Sequence, residues 1–385
     1  MDGALEKSIS FILFIVIGII LKKKISTGDE INGLKKIILL IALPATIFIA
    51  LLKVKVDGNL ILFPILALVF NVILFVVTPI LLKIIGIDGN SSKGRSAQLL
   101  LPSLAPGLSC FPFILEFLGD GSLAKAAMAD LGNKFFVLFL LYLVAFKWHY
   151  KNADFEAKSL NSKLKGLLKA LLYEPVNIFI IVALVLVSFG ITLDKIPNFL
   201  SMTLSRLSFI MTPLVLLFIG LAVKIKKQQF FQLFSLLLLR ASYTLLLIAV
   251  LISFADISIK KDILVMIAFG LSSASFWPFA HISAIHLKEK KEKTFEKTFD
   301  PNFALSILAL SLPISVLLIL GILTAGNAFT ETNNILILCG ILFFAGILYP
   351  VFIKIKKSIM AKKSNETSNP KKVFFSFLRI NKIQS

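Results

Sequence analysis

The sequence has little charge and almost no cysteine or histidine. Only 16% of its 385 residues are charged and 57% are hydrophobic, whereas a soluble domain carries about 25% charged residues. This composition excludes a soluble globular protein. Cys110 and Cys339 both lie in apolar stretches, so we expect no disulfide framework and no cysteine metal site. The three histidines lack zinc-ligand spacing and no Walker-type loop is present, so we expect no metal, no cofactor and no direct coupling to ATP.

The sequence contains one weak match to a catalytic motif. Gly107, Ser109 and His281 are the residue types of an intramembrane serine protease, but Cys110 stands where a glycine should follow the nucleophile. The apolar runs also do not form the arrangement of such a protease. We therefore expect that the protein is not an enzyme.

Apolar runs bounded by charged residues predict eleven membrane-spanning helices, each needing about 20 residues. The first run follows Asp2 and Glu6 and precedes Lys22, Lys23 and Lys24, which is the reverse of a signal peptide's charge order. We therefore expect a retained first helix. The predicted spans are residues 8–21, 37–52, 60–82, 97–118, 126–146, 175–193, 202–223, 229–255, 262–287, 302–324 and 335–353.

The lysines and arginines alternate strongly between the two sides of these spans. Of the 41, 31 fall in one set of loops and the C-terminal tail, 7 fall in the opposite set, and three lie within spans. This asymmetry predicts a multi-pass protein of the cell membrane with its N-terminus outside and its C-terminus in the cytoplasm. The net charge of +20 therefore reflects topology, and we expect lipid rather than nucleic acid as a partner. The basic and aromatic stretch 371–379 is either a solvated tail or a contact with an anionic leaflet.

The chain contains an internal repeat. Ser109-Cys110-Phe111-Pro112-Phe113 matches Ser275-Phe276-Trp277-Pro278-Phe279 at an offset of 166 residues, and the second and seventh spans match at an offset of 169. Two repeats of five helices must have opposite membrane orientations, because five is odd; inverted repeats of this kind recur in secondary transporters. We expect a first repeat at 1–146, a cytoplasmic linker at 147–174, a second repeat at 175–325, an additional helix at 335–353 and a basic tail at 354–385.

Proline and glycine should interrupt the fourth and ninth helices. Pro106, Gly107 and Pro112 fall in the fourth span, and Gly270 and Pro278 flank the corresponding part of the ninth. Proline removes a backbone donor and glycine weakens a helix, and broken backbone persists in a membrane only when it is buried in protein or faces a wet cavity. We expect two broken helices that cross near the midplane and form a binding site.

Ionisable residues within the spans need a structural or functional reason, because each is costly in hydrocarbon. Asp130 and Lys134 are four residues apart and should pair on one helical face. Arg240 either bridges helices through backbone carbonyls or binds an anion. His281 follows the ninth-span break and is either a packing residue or a proton carrier. Asn133 either lines a cavity or bonds a neighbouring helix.

Several segments together resemble the auxin efflux carrier family of membrane transporters. They are Lys22-Lys23-Lys24 followed by Ile41 to Phe48, Leu118 to Asn133, Glu174 to Asn177, and Pro213 to Leu221. The resemblance covers about residues 8–325 and is most specific around Asp130 to Asn133. It implies ten helices in two inverted repeats, broken helices crossing at the substrate site, and transport of carboxylates or of an auxin-like acid. The family usually has Asn-x-Gly at the fourth-helix break, where this chain has Leu104-Ala105-Pro106-Gly107.

We therefore predict a secondary transporter that moves a small organic anion by alternating access. One alternative is a sodium-coupled organic-anion symporter of the bile-acid type; another is a non-transporting membrane sensor or scaffold. Coupling is either to protons, through His281 or Asp130, or absent. The sequence leaves open the substrate, the direction of transport, the coupling ion and the oligomeric state. The predicted substrate-binding residues are Ser109, Cys110, Pro112, Ser273, Ser275, Trp277, Pro278 and Arg240, and the predicted coupling or supporting residues are Asp130, Asn133, Lys134 and His281.

Overall fold

The computed structural model describes residues 3–25, 27–53, 60, 62–153, 165–166, 168–169, 172–222, 229–255, 257–292 and 296–367. Those residues form helices and connecting loops, with no strand. Among them, eight helices are long and apolar enough to cross a membrane. The predicted fold class, an all-α polytopic membrane protein, is confirmed.

The helices follow the order that the apolar runs predict. In chain order they are α1 (Gly3–Leu21), α2 (Gly28–Leu52), α3 (Leu62–Ile85), α4 (Ser92–Leu100), α5 (Pro106–Ser109), α6 (Phe111–Leu118), α7 (Asp120–Phe135 continuing through Leu141–Ala153), α8 (Pro175–Ser188), α9 (Asn198–Ala222), α10 (Phe230–Ala255), α11 (Lys260–Gly270), α12 (Phe276–Glu292), α13 (Pro301–Ala325) and α14 (Thr332–Thr367).

Several helices extend beyond their predicted bounds, and α2, α7 and α14 extend furthest. α2 begins at Gly28, in the loop predicted before residue 37. α7 continues to Ala153, into the segment predicted as the linker 147–174, and α14 continues to Thr367, into the predicted tail. The basic and aromatic stretch 371–379 lies outside the described residues. Hydropathy predicts only the apolar part of a helix, whereas the helix itself continues for as long as its backbone hydrogen bonds do.

The predicted interruptions are present in both runs. Between α4 and α5 the chain is irregular over residues 101–105, and between α11 and α12 it is irregular over residues 271–275. Pro102 and Pro106 explain the first, because proline cannot donate to the preceding turn. Pro278 is tolerated in the first turn of α12, where no intrahelical donor is required. We refer to residues 101–105 and 271–275 together as the junction.

The helices pack as two groups. α1, α2, α8 and α9 pack on one another, while α3, α7, the interrupted helices, α10, α13 and α14 form the second group; α2 and α8 both contact α7. Gly18 on α1 and Gly220 on α9 lie face to face, and a β-carbon on either would collide with the backbone of the other helix. In the second group, a β-carbon on Gly132 of α7 would collide with the carbonyl of Pro64 on α3. Small residues thus allow close helix contact, as is common in membranes.

Candidate site at the junction of two interrupted helices

The two parts of the junction lie against each other and are joined by hydrogen bonds. The amide of Ala105 donates to the carbonyl of Ser273 at 2.8 Å, and the amide of Ser273 donates to the hydroxyl of Ser109 at 3.0 Å. The amide of Ser275 donates to the hydroxyl of Ser103 at 2.9 Å. An unpaired backbone group is costly inside a membrane protein, so these bonds allow irregular backbone to persist there.

Arg240 of α10 binds carbonyls on both sides of the junction. Its Nε donates to Leu101 O at 2.6 Å, and its Nη2 donates to Ser272 O at 2.9 Å and to Ser103 O at 3.4 Å. These carbonyls follow the C-terminal ends of α4 and α11, where helix dipoles place partial negative charge. Only 4% of Arg240 is exposed. The guanidinium therefore bridges helices through backbone carbonyls, one of the two roles that the sequence allowed.

Asn133 of α7 holds the first part of the junction from the opposite side. Its Oδ1 accepts from Leu104 N at 3.2 Å and from Asn71 Nδ2 at 3.0 Å. Its Nδ2 donates to Leu104 O at 2.9 Å and to Asp130 Oδ1 at 2.8 Å. The buried amide thus uses its two donors and both acceptor positions. It pairs with both the N–H and the carbonyl of Leu104, as a neighbouring strand does in a sheet.

Next to Asn133 lies a buried ionic cluster. Lys134 Nζ is 3.4 Å from Asp130 Oδ2, the pair that the four-residue spacing predicts, and 3.1 Å from Glu174 Oε1. It also donates to Asn177 Oδ1 at 3.0 Å. Asp130 and Lys134 belong to α7, whereas Glu174 and Asn177 belong to the start of α8, so the cluster joins the two helix groups.

A cavity of about 370 Å³ lies beside the junction and between the two helix groups. The junction contributes Ala105, Ser273 and Ala274 to its wall, and α2 contributes Lys35 from its second turn. Lys35 Nζ lies 4.5 Å from the ring centre of Phe276, the first residue of α12. The remaining lining residues are Gly28, Ile31, Asn32, Leu108, Phe218, Ala222, Phe230, Leu233, Leu305, Ser306, Leu308, Ala309, Leu310 and Leu312.

Lys35 supplies the charge of this cavity. Within the described part of the chain it is the only charged residue in the lining, and it has no carboxylate within ion-pair distance there. Phe276 opens α12, so the positive end of that helix dipole adds to the same region. The cavity therefore combines a mostly apolar wall with local positive potential.

A second cavity, of about 440 Å³, lies at the opposite end of α2. It also separates the two helix groups, since Phe11 of α1 and Thr212 of α9 face Leu115 of α6 across it. Lys53 and Asp120 line it and form an exposed ion pair at 2.9 Å between α2 and α7. The two cavities thus lie toward opposite ends of α2, and junction residues line only the first.

Four of the eight predicted substrate-binding residues, Ser109, Ser273, Ser275 and Arg240, belong to the junction or bind it. Ser273 lines the first cavity, whereas the other seven, all in described parts of the chain, do not. Ser109 and Arg240 bind junction backbone, and the Ser275 hydroxyl accepts from Trp277 N at 3.3 Å. Cys110, Pro112 and Pro278 are buried, while Trp277 is 36% exposed. A direct role of these side chains in substrate binding stays a prediction.

His281 lies away from the junction. Its Nε2 is 3.0 Å from Val137 O, and its ring contacts Tyr142. It lines a third cavity, of about 300 Å³, together with His149. His149 Nδ1 is in turn 3.3 Å from Glu289 Oε1. A role of His281 in coupling stays a prediction.

Lys35 and Glu174 were not among the predicted site residues, because both lie outside the apolar runs, in segments predicted as loops. A signal for Lys35 was present, since Thr27 and Glu30 form the capping-box pattern that starts a helix at Gly28. That start places Lys35 two turns inside α2. Glu174 directly precedes the apolar run of α8, and only its contact with Lys134 distinguishes it from other loop carboxylates.

Fold and site together define a class: a polytopic all-α membrane protein in which two interrupted helices meet at a buried polar junction. No protein family model matches the chain. The chain is 30% identical over 201 residues to a protein of Methanocaldococcus jannaschii that is named an uncharacterized transporter. The match covers 51% of this chain and 61% of that relative, so the chain spans about three fifths of the relative's length.

Proposed function

We propose that the protein is a secondary transporter of a small organic anion, such as a carboxylate or an auxin-like acid. The name of the M. jannaschii relative supports transport, and the resemblance of several segments to the auxin efflux carrier family supports the substrate class. The same resemblance supports a core of two inverted five-helix repeats, α1 to α7 and α8 to α13, with α14 added. The distribution of lysine and arginine supports a cell-membrane protein with its N-terminus outside.

The observation that carries the anion preference is Lys35 in the cavity beside the junction. A volume of about 370 Å³ falls within the range of small-molecule sites, about 300–1,000 Å³. Lys35 and the N-terminus of α12 would hold a carboxylate. The apolar lining would pack an apolar substrate body, because Phe218, Phe230 and Leu308 surround the same space.

The placement of the cavities supports alternating access. Both lie between the same two helix groups, one toward each end of α2. Movement of one group against the other would open one cavity as it closes the other, which is the movement that transporters of this architecture make around a fixed site. Hydrogen bonds join the two parts of the junction to each other and to α7 and α10, so the junction would move as one body with its group.

Counterflow of radiolabelled organic acids into proteoliposomes tests this function, with neutral and cationic solutes as comparisons. We expect saturable uptake of one class of acid. Lys35→Ala should weaken its apparent affinity at least about tenfold, the equivalent of about 1.4 kcal/mol. The matched control is Lys36→Ala, which removes an exposed lysine next to it and should leave affinity unchanged.

Three results would contradict the proposal. Preferential uptake of neutral or cationic solutes would refute the anion preference. Equal affinities in Lys35→Ala and wild-type protein would remove Lys35 from the site. Binding of an acid without uptake, in protein shown to be folded and inserted, would favour a membrane sensor.

A further inference from the structure

The cluster around Lys134 has an uneven charge balance. It contains two carboxylates, Asp130 and Glu174, and one ammonium. The side chains of Asp130 and Lys134 are 8% and 9% exposed, and that of Glu174 is 24% exposed. With all three groups ionised, the cluster has a charge of −1 at a place where uncompensated charge is costly.

Within the described parts of the chain, the neighbouring helices do not supply the missing positive charge. α2 has no charged residue over 43–52, and α3 has none over 62–82. On α7, Lys125 pairs with Asp262 of α11 at 2.6 Å. Lys169, ahead of α8, lies 5.6 Å from the ring centre of Tyr173.

The contacts within the cluster favour a proton over a metal ion as the balancing charge. Asp130 Oδ1 accepts from Asn133 and Oδ2 faces Lys134. Glu174 Oε1 faces Lys134, and its Oε2 accepts from Asn177 Nδ2 at 3.4 Å. The ammonium already occupies the centre, where a metal ion would have to sit. A proton needs only one of the carboxylate oxygens.

We propose that this triad, Asp130, Lys134 and Glu174, binds one exchangeable proton that controls the separation of the two helix groups. When Glu174 is ionised, its ion pair with Lys134 holds α8 against α7. When Glu174 takes up a proton, Lys134 neutralises Asp130 within α7, and α7 can leave α8 without exposing an unbalanced charge. This proposal rests on the proposed function, because it gives the proton control over transport.

The same contacts lead from the triad to the junction. Asp130 accepts from Asn133, and Asn133 holds Leu104 by two hydrogen bonds. Only the side chain of Asn133 separates Asp130 from the backbone of Leu104, next to the substrate cavity. A change in the charge balance around Asp130 therefore affects that backbone through one side chain. Proton uptake and substrate binding would in this way affect each other.

Counterflow measured at different pH values tests the proposal, with opposite expectations for two isosteric variants. In wild-type protein the rate should rise as the pH falls, by up to about tenfold per unit on the alkaline side of the titration. Glu174→Gln mimics the protonated acid, so its rate should be high and independent of pH. Asp130→Asn leaves a balanced pair between Lys134 and Glu174 across the two groups, so its rate should be low and independent of pH.

A second measurement does not depend on transport. Infrared difference spectra of the wild-type protein in lipid, recorded as the pH is lowered, should show the carbonyl stretch of a newly protonated carboxyl group. That band should be lost in Glu174→Gln, which lacks the carboxyl group, and also in Asp130→Asn, in which Glu174 stays paired with Lys134. The control, Glu331→Gln, removes an exposed carboxylate between α13 and α14 that lines none of the three cavities and should keep both the band and the pH dependence.

The outcomes separate this proposal from the proposed function. If no acid is transported but the band appears and is lost in Glu174→Gln, the proton site stands and the transporter proposal fails. If the band persists in Glu174→Gln, or if counterflow in that variant follows the same pH profile as wild type, the proton proposal is overturned.

Discussion

Replacing Arg240 by alanine should destabilise the protein more than it changes anion recognition. The guanidinium binds Leu101 O at 2.6 Å and Ser272 O at 2.9 Å, with a longer third bond to Ser103 O. A hydrogen bond to a charged group contributes about 1.5–3 kcal/mol, so the two short bonds suggest about 3–6 kcal/mol. Interhelical hydrogen bonds in membranes average about 0.6 kcal/mol, which lowers our expectation to about 3 kcal/mol.

Reversible unfolding in mixed micelles measures this loss. Arg240→Lys should recover part of it, because one ammonium keeps the charge but lacks the planar fork that reaches carbonyls of both interrupted helices. Arg206→Ala is the matched control, since Arg206 is exposed on α9 and should change the free energy of unfolding by less than about 0.5 kcal/mol.

One result would refute this reasoning. If Arg240→Ala unfolds within about 1 kcal/mol of wild type and its affinity for the transported acid falls more than about tenfold, the arginine is a substrate ligand. Its contacts with the junction carbonyls would then contribute little to stability.

Two further predictions concern the packing of α7. Gly132→Ala should destabilise the protein by about 1–3 kcal/mol, because the new β-carbon would collide with Pro64 O. The control, Gly321→Ala, places its β-carbon in open space and should not destabilise the protein. Equal unfolding midpoints for the two variants would contradict this prediction. Asn133→Ala should cost about 2 kcal/mol and raise hydrogen exchange at the amide of Leu104, because it removes both hydrogen bonds to that backbone; unchanged exchange there would show that α7 does not hold the junction.

The sequence predicted the helical architecture well because its signals are local. Apolar runs long enough to cross a membrane marked the helices, and Pro106 and Pro278 marked the interrupted ones. The extensions of α2, α7 and α14 were missed because polar residues continue a helix without lengthening its apolar run. The pairing of Asp130 with Lys134 was also predictable, since residues four apart share a helical face.

The sequence by itself therefore determined that the chain is a polytopic helical membrane protein and where its helices break. Only the tertiary structure decided which polar groups on different helices meet. Arg240 binds carbonyls more than a hundred residues earlier in the chain, Glu174 reaches Lys134 from the start of another helix, and Lys35 lies in a cavity instead of a loop. These contacts depend on how each helix is rotated and packed against its neighbours, and residues near one another in the chain do not set that rotation.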